Sequence, residues 1–297
     1  MIFYPSKNNN RLNGRPYDVE HITNTAMVNP HYRVRLAPGT RYIIDSGAFQ
    51  ERDMRERLQP WQALARQLRF EAQIEYSGHN GHAEAIVTYD MLDGVDEALT
   101  PDGRVKRRGS VETASVAVME TIRAAHYYHS QRHRIRGAVA YACQGVTTEQ
   151  YVKCAEQLIP LIRPGRDWFA FGGLCITGVV RGAMLTEFET TLRAVVPMLR
   201  DAGVTRAHIL GVCIPDAIRI ATELEQRYGV SLSTDSRAPE TAGCVYGRVY
   251  VEGRQVSKYT KDQKFVEYHP NELALRNVRD FAQWLHQLSN AFGEVAA

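Results

Sequence analysis

The sequence predicts a closed (β/α)8 barrel in a single domain over residues 1–297, and three observations predict it. Short β-rich runs alternate with helical stretches along most of the chain. The β runs are continuously apolar, as in parallel strands covered on both faces. Polar residues (Asp45, Asp90, Gln144, Gly172 with Gly173, Gly211 and Asp235) recur at the C-terminal ends of successive runs. In a barrel those ends meet on one face, where active sites of such folds are built, whereas a doubly wound sheet uses mainly its central switch point.

The elements follow in order. RYIIDSG (41–47) is a β run, followed by a helical stretch near 59–75. AEAIVTYD (83–90) precedes a helix near 111–129, RGAVAYACQG (136–145) one near 147–162, and DWFAFGGL (167–174) one near 186–201. AHILGV (207–212) leads into IPDAIRIATELEQRYG (214–229), whose Gly229 is a helix stop, and SLSTDS (231–236) follows at once. Six strands leave two to be found, in residues 1–35 and 240–268, where GRVYVEGRQVSKY reads as two short strands around Glu252 and Gly253. An amphipathic helix is expected over 271–292. The longest insertion runs from Leu92 to Ser110.

Composition narrows the function classes. With 297 residues, 44% of them hydrophobic, the chain buries a core unaided, which excludes disorder. No run approaches the roughly 18 to 20 apolar residues of a membrane span, and the opening MIFYPSKNNNRLNGRP has no apolar signal core, so a cytoplasmic protein is expected. Five scattered cysteines imply no disulfide framework. The net charge of +3 does not argue for nucleic acid, and what matters is clustering. RVKRRG carries Arg104, Lys106, Arg107 and Arg108 in the long insertion, on the expected catalytic face, where solvated charge and phosphate contact both stand as readings. QRHRIR (131–136) precedes its strand and belongs to the far face. His79 and His82 also precede a strand, away from the expected chemistry, and no metal site is expected. Cys143 and Cys175 flank site segments, with a packed thiol as the ordinary outcome.

Asp45 and Asp235 each end an apolar strand. Each reads either as an Asx turn or helix cap, or as one of two carboxylates acting as nucleophile and acid/base at an anomeric carbon. Aldol, phosphate and sugar chemistry all remain open on these residues.

DSGAFQ (45–50), YDMLDG (89–94), ACQG (142–145), FGGL (171–174), HILGV (208–212) and TDSRAPE (234–240) resemble, in order and approximate spacing, the motifs of the tRNA-guanine transglycosylase superfamily. The resemblance spans 41–240, and DSGAFQ is its most specific piece. It implies a TIM-barrel enzyme that exchanges guanine in a polynucleotide for a 7-deazaguanine such as preQ0, without a cofactor. Asp235 would attack C1′ to form a covalent glycosyl-enzyme. Asp45 would protonate the departing guanine and deprotonate the incoming base. Asp90 would accept from the purine N1–H and exocyclic amine, while Gln144 and the Gly173 amide would donate to O6. Ser46, Phe49, Gly172 and Leu174 would shape the pocket; Arg237, two residues after Asp235, is by its position a candidate contact to the polynucleotide backbone. These roles suit guanine, whose two donors share one edge and whose carbonyl needs donors.

Two departures bear on the substrate. The tRNA enzymes carry a CxCxxC zinc site, and this sequence has no cysteine after Cys244. That likens the chain to the DpdA group, associated with 7-deazaguanine in DNA, and makes DNA the expected partner and tRNA the alternative. A base inside a duplex must be flipped out, so a DNA-opening partner protein is expected as well. A non-catalytic nucleic-acid-binding barrel and an unrelated N-glycosyl hydrolase are the other readings. The family's second glycine is also Ala48 here.

Overall fold

A computed structural model describes residues 1–7, 11–12, 15–16, 20–51, 57–91, 97–100, 103–106, 111–174, 181–244, 248–251, 254–256 and 270–295. Eight strands form a closed barrel: β1 (Ile2–Lys7), β2 (Thr25–Val28), β3 (Arg41–Ile44), β4 (Ala85–Val87), β5 (Ala138–Cys143), β6 (Trp168–Phe171), β7 (Arg206–Ile209) and β8 (Ser231–Ser236). Every neighbouring pair is parallel, and β1 closes the ring by pairing with β8, with Tyr4 opposite Asp235. The main surrounding helices are α1 (Pro60–Tyr76), α2 (Val111–Ser130), α3 (Thr148–Leu158), α4 (Arg181–Asp201), α5 (Pro215–Tyr228), α6 (Ala238–Cys244) and α7 (Pro270–Val295).

This is the expected (β/α)8 barrel, with one correction. Both unassigned strands come from the first 28 residues, and none from 240–268. Val249–Val251 and Arg254–Val256 instead pair with each other as an antiparallel ribbon, which cannot continue a parallel barrel. Tyr250 of that ribbon packs with Phe3, Phe281 and Trp284, so the C-terminal helix α7 covers it.

The apolar runs divide by alternation. Tyr4, Met27, Ile43, Ala85, Val87, Ala138, Ala140, Ala142, Trp168 and Ala170 fill the barrel. Ile44, Ile86, Val139, Tyr141, Phe169, Phe171, Ile209 and Leu232 face outward into the layer shared with the helices. Helix α1 meets that layer through Ala63, Leu64, Phe70 and Ile74, which together with the buried Gln67 recur three to four apart. Gly229 ends α5 with φ 66°, as a helix stop requires. No described helix is long and apolar enough to cross a membrane.

The far end of the barrel is tied by ions. Asp167 accepts from Arg163 Nε at 2.8 Å, Arg132 Nε at 3.1 Å and the Val139 amide at 3.1 Å. Arg136 pairs with Glu75 at 2.6 Å. The QRHRIR segment thus spends two of its arginines on the fold. His79 is buried there as well, with Nε2 2.9 Å from the Thr40 carbonyl just before β3.

Candidate active site at the barrel mouth

Two residues beyond the barrel-filling side chains, the inward positions turn polar. Ile43 is followed by Asp45, Ala142 by Gln144, Ala170 by Gly172, Ser233 by Asp235 and Tyr4 by Ser6. The period of a strand therefore brings these residues to one rim.

Asp45 leaves β3 half-buried. Its carboxyl is pushed up to about 7, first by burial and then by the charges of Asp90 and Asp235; the Ser46 amide and Asn29 oppose the shift. Asn29 Nδ2 donates to Asp45 Oδ2 at 2.7 Å and to Gln50 Oε1 at 2.8 Å. From α1, Gln67 reaches under the turn, donating to the carbonyls of Asp45 at 2.9 Å and Val87 at 2.8 Å. Its Oε1 accepts from Tyr128 at 2.6 Å. The ends of β3 and β4 are thereby locked together.

Asp90 is buried beside it. Burial raises its pKa, against the hydrogen bonds from Ser46 and Gln144. Ser46 Oγ donates to Oδ1 at 2.5 Å, and Gln144 Nε2 donates to Oδ2. Gly172 and Gly173 form the adjoining wall. A Cβ at Gly172 would lie 2.2 Å from Gln144 Nε2 and 3.2 Å from Asp90 Oδ2, and Gly173 holds φ 72°. Tyr151 from α3 donates to the Gly172 carbonyl at 2.7 Å.

Asp235, one residue from the end of β8, has three partners. The Gly211 amide donates to Oδ1 at 2.7 Å, His208 Nε2 stands 3.2 Å from Oδ1, and Ser6 Oγ donates to Oδ2 at 2.9 Å.

The structure thus brings Asp45, Ser46, Asp90, Gln144, Gly172, Gly173 and Asp235 together. Leu174 differs: its side chain is buried in the layer between barrel and helices. Arg237 is exposed just before α6. Arg107, Arg108 and Cys175 lie outside the described residues, as do the side chains of Phe49, Arg104 and Lys106; the last two belong to the hairpin Glu97–Thr100/Gly103–Lys106. Cys143 is a packed thiol facing α3, with its Sγ 3.4 Å from the Tyr151 carbonyl. Among the described residues no group of His, Cys, Asp or Glu is arranged to hold a metal ion.

Sequence reasoning missed Ser6, Asn29, Gln67, Tyr151 and His208. His208 alone left a usable signal, a polar residue on an inward position of the otherwise apolar AHILGV run. No protein-family model matches the chain, and no curated protein does. Closed parallel barrels commonly carry enzymes, with catalytic residues at this rim.

Proposed function

We propose that the chain is a base-exchange transglycosylase that replaces guanine in DNA with a 7-deazaguanine of the preQ0 kind, through a covalent glycosyl-enzyme on Asp235. One observation carries this reading. Asp45, a carboxyl held near 7, shares one mouth with Asp235, a carboxyl oriented by three partners. Pairs of acids set in different surroundings are how a site assigns a proton donor and a nucleophile.

In this reading Asp235 attacks C1′ while Asp45 gives its proton to the leaving guanine. Asp45 then takes a proton from the incoming base, and a second displacement restores the configuration. Asp90 accepts the two donors of the guanine edge. At rest Gln144 donates to Asp90, so an arriving base takes that place and releases the Gln144 amide to the base carbonyl. The bulk of the polynucleotide stays outside, with the target base flipped in by a partner that opens the duplex. The choice of DNA over tRNA rests on the sequence resemblance.

The test is incorporation of labelled preQ0 into plasmid DNA and, separately, into unmodified tRNA, with Asp235→Ala as control. Label in DNA that disappears in the variant supports the reading. Label in tRNA alone moves the substrate to tRNA, and label in neither leaves a non-catalytic nucleic-acid-binding barrel or an enzyme missing its partner.

A further inference from the structure

The two oxygens of Asp235 have different surroundings. Oδ1 takes the Gly211 amide and faces His208 Nε2, whereas Oδ2 takes the single hydroxyl of Ser6. His208 is fully buried inside the barrel. Its register partner on β8 is Ser233, whose Oγ lies 2.8 Å from Nδ1, and the Tyr4 ring meets it edge-on with centroids 5.8 Å apart. The Ser233 hydroxyl also lies 3.3 Å from the Ala207 carbonyl; with its one proton given to Nδ1, the nearer acceptor, the imidazole proton sits on Nε2, pointed at Oδ1. The ring is thus clamped from two strands with its donor aimed at one oxygen of the carboxylate.

We infer that His208 is a positioning residue for Asp235: with the Gly211 amide it anchors Oδ1, leaves Oδ2 to attack C1′, and stabilises the carboxylate when the sugar departs from it. This inference rests on the transglycosylase reading above. In the first step an Oδ2 lone pair forms the bond to C1′. The C1′–N9 pair leaves with guanine, which takes the Asp45 proton. Asp235 is now an ester, and Oδ1 is its carbonyl oxygen under two donors. In the second step the incoming base gives its N9 proton to Asp45 and bonds to C1′ through N9. The Oδ2–C1′ pair returns to Asp235, and charge builds on both oxygens.

The two steps use the His208 donor differently. A hydrogen bond to Oδ1 stabilises the attacking carboxylate and gains nothing for the first step. It strengthens as charge grows on Oδ1 in the second, so it acts on the departure of the sugar. A histidine that merely fills the barrel would not divide the steps.

The experiment uses the full chain and guanine-containing DNA, or tRNA if that is the polynucleotide that accepts label. Guanine release in a single turnover reads the first step, and decay of the protein–polynucleotide adduct on adding preQ0 reads the second. His208→Phe keeps the ring volume and removes the donor. It is expected to slow adduct decay by about 10- to 100-fold, the effect of one hydrogen bond to a charged group, while guanine release changes by less than about 5-fold. His208→Gln, which returns a donor near Nε2, is expected to recover most of the decay rate. Equal slowing of both steps, or unchanged decay in a His208→Phe protein that melts like wild type, overturns the inference. A His208→Gln protein whose adduct decays as slowly as that of His208→Phe also overturns it. If the wild-type protein neither releases guanine nor forms the adduct, the transglycosylase reading itself falls and takes this inference with it.

Discussion

Ser46 and Asp90 meet across two barrel strands. The serine hydroxyl donates to Asp90 Oδ1 at 2.5 Å, so the residue that follows the proposed acid holds the carboxylate proposed to read the base. Chemistry and recognition are therefore coupled through one turn.

Ser46→Ala tests that coupling. Losing a hydrogen bond to a charged, buried acceptor costs about 1.5 to 3 kcal/mol. The expected result is a KM for the incoming base raised about 10- to 100-fold with a smaller change in kcat, read from initial rates of label incorporation.

Asp45 makes stability depend on pH. Its carboxyl is raised in the fold to about 7, so the folded protein holds a proton that the unfolded chain releases near 4. Its contribution is fully present below about pH 4 and is lost as the pH rises through about 7, a span of about 4 kcal/mol. Asp45→Asn removes this loss. Urea unfolding at pH 5 and pH 8 is expected to show the variant inactive in exchange yet more stable than wild type at pH 8, with a flatter pH dependence.

Gly172→Ala puts a methyl group against the Gln144 amide nitrogen, with a Cβ only 2.2 Å away. The obstacle is the far end of a flexible side chain, so the barrel is expected to fold while Gln144 is pushed off its position. Thermal melting should shift little, and incorporation of label should fall more than 100-fold. Gly173→Ala adds the strain of a side chain at φ 72° and is expected to lower the melting temperature as well.

Asp167→Ala serves as the opposite case. It removes the acceptor for Arg132, Arg163 and the Val139 amide at the far end of the barrel. Denaturant unfolding is expected to show a loss of about 3 to 5 kcal/mol, with kcat of the remaining folded protein unchanged.

How far the sequence could be read follows from the same residues. Five strands were legible because parallel strands buried on both faces are continuous apolar runs, and SLSTDS because it follows the Gly229 helix stop at once. β1 was not, since Pro5 interrupts IFYPSK. The hairpin around Tyr250 reads as two strands, but its antiparallel partner choice is a tertiary fact. Asp45, Asp90, Gln144 and Asp235 stood out as polar ends of apolar runs. Their supports did not: Gln67 looks like any polar helix residue, and only the packing of α1 under β3 and β4 buries it. Asn29 and Ser6 act across 16 and 229 residues of chain, separations that no local pattern reveals.

The central claim is that Asp235 bonds to the sugar, and intact mass measurement of the protein after incubation with a guanine-containing oligonucleotide, without added 7-deazaguanine, tests it most directly. The account predicts a species heavier by the oligonucleotide less one guanine, absent in Asp235→Asn and discharged by preQ0. Base exchange proceeding in wild type with no such species, or an undiminished adduct in Asp235→Asn, would contradict it.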